Sequence, residues 1–209
     1  MKKLLFVIAF CTIFAVTSLA QVKISGGVLG GLNLANVTVD PEPAGVTFDN
    51  LTGFGFGGVL NFGFSGGFAV KVEPMYLQKG NKYSGSGFEG KTKGAYFEVP
   101  VLLIYSFGAG EVQPYFLAGP SIGFVLSAKD EFTFGGTTTE TDIKDDIKST
   151  DFGVIFGAGV SIPAGNNSFF IEGRYSLGLS DINNVSGSTT KIKTTGIQIF
   201  AGITFPFGN

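Results

Sequence analysis

At 209 residues, with a formal net charge of −2, no histidine, no tryptophan and one cysteine, the chain argues against several classes at once. Mild acidity suits no nucleic-acid partner, and the lack of histidine removes the commonest general base. The 33 Gly and 23 Phe, with only 14% charged residues and a positive mean hydropathy, make a poor composition for a soluble β-protein.

The N-terminus comes first. Met1-Lys2-Lys3 is a short basic start, Leu4 to Val16 is almost entirely apolar, and Ser18 and Ala20 place small residues before Gln21. This pattern predicts a secretory signal peptide over 1–20 and a mature domain over 21–209. The apolar stretch is too short and wrongly flanked for a spanning helix. Cys11 lies inside it, and the bulky Phe10 before it argues against a lipoprotein site. Cleavage leaves 12 basic against 16 acidic residues and no cysteine. A signal peptide without disulfides fits a bacterial envelope protein better than a small secreted eukaryotic domain.

Eight strands follow from alternation, at roughly 22–36, 50–63, 67–80, 92–106, 112–128, 150–163, 168–182 and 192–207. The segment Gly26 to Gly31 resembles a phosphate-binding loop, but it lacks a following helix and its alternation runs on through Leu34, so it reads as strand. The connections alternate in length. Short glycine-containing turns fall near Gly63 to Gly66, Gly108 to Gly110 and Ala164 to Asn167. Long polar connections span 37–49, 81–91, 129–149 and 183–191. By the rule for outer-membrane barrels, the short turns are periplasmic and the long loops extracellular. Phe132 and Phe134, then Gly135-Gly136, then three threonines predict a hairpin projecting past the membrane, with an edge for a partner.

The two faces of each strand decide the environment. In the third strand Phe68, Val70, Val72, Pro74 and Tyr76 oppose Ala69, Lys71, Glu73, Met75 and Leu77. In the fourth, Phe97 to Tyr105 oppose Tyr96, Glu98, Pro100, Leu102 and Ile104, and in the seventh Phe169 and Ile171 oppose Phe170, Glu172 and Arg174. A soluble barrel would carry many charges on its outer face, and neither face here does. With the apolar face toward lipid, the sparse charges and small residues fill a narrow interior. The predicted fold is therefore all-β, an eight-stranded antiparallel up-and-down transmembrane β-barrel. Inward glycines such as Gly31, Gly57, Gly123, Gly157, Gly159 and Gly202 make room for Phe170, Phe200 and Tyr115. Phe62, Phe68, Tyr105, Phe169, Phe205 and Phe207 suit an interfacial girdle at the tight-turn end.

Inside, a hairpin centred on Gly85 and Ser86 sets Glu73 beside Glu98 and Lys71 beside Pro100. Arg174 is expected to bridge the two carboxylates and Glu172 to pair with Lys71. Together Lys71, Glu73, Glu98, Glu172 and Arg174 form an ionic plug that closes the bore.

Several motifs occur in order along the chain: Gly30-Gly31-Leu32-Asn33, the segment Glu73 to Gly80, Tyr96-Phe97-Glu98-Val99-Pro100, the segment Pro114 to Pro120, and Asp151-Phe152-Gly153. They resemble the strand signatures of the PorT-type outer-membrane β-barrel family over essentially the whole mature chain. The resemblance implies a Gram-negative outer membrane and eight antiparallel strands. Through the family's namesake it points to an accessory role in envelope protein secretion. It carries no catalytic residues.

An enzyme is not expected. Ser188 and Lys191 have Ser-x-x-Lys spacing but sit in a polar loop, and Glu73 with Glu98 reads as internal neutralisation rather than an acid/base pair. The loop acids Asp130, Glu131, Glu140, Asp142, Asp145, Asp146 and Asp151 lack calcium-loop spacing and read as a solvated surface, so neither metal nor cofactor is expected. The expected partners are outer-membrane lipid, the barrel-assembly machinery during insertion, and an extracellular or envelope protein bound by the loops. The alternatives are a channel for small or apolar solutes and a soluble lipocalin-like barrel. Inverted hydrophobicity opposes the latter.

Overall fold

The computed structural model describes residues 22–108 and 110–207; the expected signal peptide lies outside them. Among these described residues, ten strands form one antiparallel sheet. They are β1 (Lys23–Asp40), β2 (Thr47–Gly63), β3 (Phe68–Val72), β4 (Met75–Gly85), β5 (Phe88–Ser106), β6 (Gln113–Phe134), β7 (Thr137–Asp142), β8 (Thr150–Ala164), β9 (Asn167–Gly178) and β10 (Lys191–Pro206). β1 pairs with β10 from Ser25↔Pro206 to Asp40↔Lys191, so the sheet closes on itself. The ring has eight positions. β3 and β4 share one, interrupted at Glu73-Pro74, and β7 pairs with the far end of β6 alone. Closure pairs the backbone without an edge, the condition for strands to stand in lipid.

The polarity is inverted. Phe116, Phe156, Ile171 and Ile199 lie exposed on the outer wall, whereas Lys71, Glu73, Glu98, Glu172 and Arg174 are buried within. The bore is filled by side chains. Phe200 is fully buried against two glycines: a Cβ on Gly31 would lie 2.8 Å from its ring, and one on Gly55 3.0 Å. Leu29, Val59, Met75, Leu77 and Phe170 complete one apolar cluster around it, and Ala69, Leu102, Ile104, Tyr115, Leu117 and Ile155 form another.

The strands outrun the expected boundaries at the long-loop end. The polar connection expected at 81–91 is instead a paired hairpin, running from Gly80↔Lys93 to Gly85↔Phe88. Apolar alternation stops where lipid stops, but a hydrogen-bonded ladder needs only a partner strand. Lys82, Ser84, Glu89 and Lys91 therefore continue the strands without the pattern that marks them in lipid. The hairpin at Gly135-Gly136 is present, with Phe134 opposite Thr137. Both glycines have positive φ, 57° and 81°, as a two-residue type I′ turn requires. Its first arm also pairs with β5 as far as Phe88↔Phe134, so β4, β5, β6 and β7 form a continuous sheet beyond the lipid-facing zone.

Candidate functional site

Two ionic layers cross the bore. In the layer nearer the tight turns, Lys71 Nζ lies 2.9 Å from Glu172 Oε2 and 3.5 Å from Glu73 Oε1. Arg174 Nη2 lies 2.7 Å from Glu73 Oε2 and also pairs with Glu172. Tyr115 Oη donates to Glu172 Oε2 at 2.7 Å. Gly159 stands between Tyr115 and Glu172 in the ladder, and a Cβ there would meet the tyrosine ring at 2.6 Å. The missing side chain is what lets its two neighbours bond. The Arg174 guanidinium lies over the Phe200 ring, 5.0 Å from its centroid.

Glu98 is not in this layer, which corrects the expected plug. The hairpin register pairs Glu98 with Met75 and Lys71 with Leu102, two residues from the expected alignment. Glu73 stands at the break between β3 and β4, where its N–H donates to the Pro100 carbonyl. Two residues along a strand is roughly 7 Å. Glu98 is thereby set in a second layer nearer the long loops, where Lys79 Nζ lies 2.6 Å from Glu98 Oε2 and 3.0 Å from Asp151 Oδ2. The glycine device recurs, since Gly123 separates Glu98 from Asp151 in the ladder. Thr194 Oγ1 donates to Asp151 Oδ2 at 2.8 Å, and Ser180 Oγ to Asp151 Oδ1 at 3.1 Å.

Sequence reasoning missed Lys79 and Asp151. Lys79 has the same parity as Lys71 and Glu73, which was a usable signal. Asp151 closes the run of loop acids in the sequence, but as the second residue of β8 it points into the barrel and is buried. The interior thus carries two basic groups against two acidic ones in the first layer, and one against two in the second.

At the long-loop end, Phe132 and Phe134 stand exposed on the projecting hairpin with the Gly135-Gly136 turn at its tip, and all of β7 is exposed. Phe132 packs against Phe88 with tilted rings, centroids 5.8 Å apart. Tyr83 Oη donates to Asp130 at 2.7 Å, and burial with that bond pushes the phenol up from its usual value. Hydrogen bonds from Lys91 and Lys93 hold the Glu131 carboxyl below its usual range.

The segment between β9 and β10 is fixed by Asp181. Its Oδ1 accepts from the backbone N–H of Ile192 at 2.9 Å and of Asn183 at 3.1 Å, and its Oδ2 accepts from Lys148 Nζ at 2.9 Å. The Ile192 N–H and then Lys148 hold its pKa down to about 2. A depressed carboxyl contributes order above its unfolded value of about 4 and loses it as pH falls through the folded value. The Ile192 amide should therefore stay protected from exchange at neutral pH and lose protection between about pH 4 and pH 2. In Asp181→Asn it should exchange faster at pH 7; unchanged protection would contradict this role.

Together, lipid-facing walls, a closed sheet and a charged, filled interior define an integral outer-membrane β-barrel. The sequence matches the outer membrane protein beta-barrel domain over residues 19–184, and the chain belongs to that family. OprG of Pseudomonas aeruginosa is similar at 15% identity and a TM-score of 0.51, over 90% of this chain and 96% of that one. Neisserial surface protein A is similar at 16% identity and 0.48, over 87% and 97%. The attachment invasion locus protein Ail of Yersinia pestis is similar at 18% identity and 0.46, over 87% and 98%. At these identities the likeness is one of fold. No curated protein matches the sequence.

Proposed function

We propose that the protein is a closed barrel that presents a β-edge outside the cell for a protein partner, rather than a pore or an enzyme. The observation that supports this reading is the sheet of β4 to β7, which extends beyond the lipid-facing zone and ends in the exposed strand Thr137–Asp142, paired on one side alone among the described residues. An unpaired edge offers its N–H and C=O groups to an added strand. The exposed Phe132 and Phe134 beside it supply apolar anchors. Below it, two salt-bridged layers stand in the bore.

The ordered strand signatures support placing the chain in the PorT-type branch of its family, in a Gram-negative envelope, after removal of a signal peptide over 1–20. The partner on this reading is an extracellular or envelope protein.

Intact cells test both the orientation and the edge. A photo-crosslinker at Thr139 in β7 should trap a discrete protein adduct, and one at Asn166 in the β8–β9 turn should not. Shortening the hairpin by removing 132–139 should abolish partner capture while the barrel keeps its heat-modifiable mobility. Equal adducts at both positions, or none at Thr139, would overturn the reading.

A further inference from the structure

The mouth of the barrel holds a cavity that the edge-binding role does not use. Its volume is about 490 Å³, and its walls include Val37, Val39, Phe48, Phe88, Ile147 and Ile192. It lies beyond the lipid zone, where outward apolar residues have already given way to polar ones, so lipid contact does not account for these side chains. Most of the wall comes from strands, and the rest from Val46 and the segments 143–147 and 182–185.

Those segments are held by their own hydrogen bonds. Lys148 N–H donates to the Ile182 carbonyl at 2.8 Å, and Asn184 N–H to the Asp146 carbonyl at 2.9 Å. Asn184 Nδ2 donates to the Asp145 carbonyl at 2.8 Å, and Ile147 bridges Asn183. Ile143 and Ile147 pack against Tyr96, Val125 and Ala128. The walls are thus tied back around the hollow rather than collapsed into it. An apolar hollow of this size with few polar groups has the form of a small-molecule site.

Charge selects among ligands. Lys79 forms part of the floor, but it is already held by Glu98 and Asp151, so the floor carries excess negative charge. Asp146 stands at the rim and makes no salt bridge among the described residues. Anionic amphiphiles are disfavoured there. The neutral polar groups are the hydroxyls of Thr92, Thr194, Tyr83 and Tyr96 and the amides of Asn81 and Asn183. We propose that this cavity binds a small, uncharged, mostly apolar molecule from outside the cell and holds it above the ionic layers, which bar its passage.

The test uses the full barrel in lipid nanodiscs, titrated with the neutral dye N-phenylnaphthylamine and the anionic dye anilinonaphthalene sulfonate. The neutral dye should show a saturable signal above that of empty nanodiscs. Filling the cavity with Val39→Trp, or independently with Ile192→Trp, should weaken it by at least about tenfold, and the anionic dye should bind at least about tenfold more weakly. Heat-modifiable mobility reports whether each variant is folded, and two filling positions on different strands guard against one failing to fold. A neutral-dye signal equal to that of empty nanodiscs, one unchanged by both filling variants, or equal binding of the anionic dye would overturn the proposal. These readouts do not depend on the β7 edge.

Discussion

Arg174→Ala is expected to destabilise the barrel by roughly 3–5 kcal/mol, the usual cost of removing one partner from a buried ionic set. The variant leaves Glu73 and Glu172 buried with Lys71 as their remaining cation among the described residues, 3.5 Å from the first and 2.9 Å from the second. Arg174 also covers the Phe200 ring, so alanine removes packing along with charge. In detergent, the folded band on an unboiled gel should convert to the unfolded one at markedly lower temperature or urea. Adding Glu73→Gln should recover part of the loss by removing the stranded charge. A midpoint equal to that of the parent would contradict the role given to Arg174.

Lys79→Met should have an effect of similar size, roughly 3–5 kcal/mol, because it strands Glu98 and Asp151 across the gap at Gly123. The two acids are not equivalent. Asp151 keeps hydrogen bonds from Thr194 and Ser180, whereas among the described residues neither Glu98 oxygen has a hydrogen-bond partner beyond its ion pair. Glu98→Gln should therefore rescue Lys79→Met better than Asp151→Asn does. Unfolding midpoints of the single, double and triple variants read this directly, and the reverse order of rescue would contradict the assignment.

The barrel was legible because lipid imposes a strict rule, apolar at every second position on the outer wall. That rule identified the inward faces of β3, β5 and β9, and with them Lys71, Glu73, Glu98, Glu172 and Arg174. Register was less legible. The expected turn is centred on Gly85 and Ser86, but the chain turns at Ser86-Gly87, with Gly85 opposite Phe88. One residue at the turn displaces every pair of the hairpin by two, Glu98 included, and the break at Glu73-Pro74 leaves that alignment unchanged. The division into two layers then depended on Lys79 and Asp151, whose strands continue past the last lipid-facing residue. Outside lipid no alternation is demanded, so neither the full length of β4 and β5 nor the mouth cavity could be read from pattern.

Paired charges and packed aromatics fill the bore, and conductance across a planar bilayer reads whether they close it. The purified wild-type barrel, inserted at a density verified by its heat-modifiable band, should give no resolvable current steps. Reproducible unitary steps from the wild-type protein, absent from protein-free controls, would contradict the closed barrel.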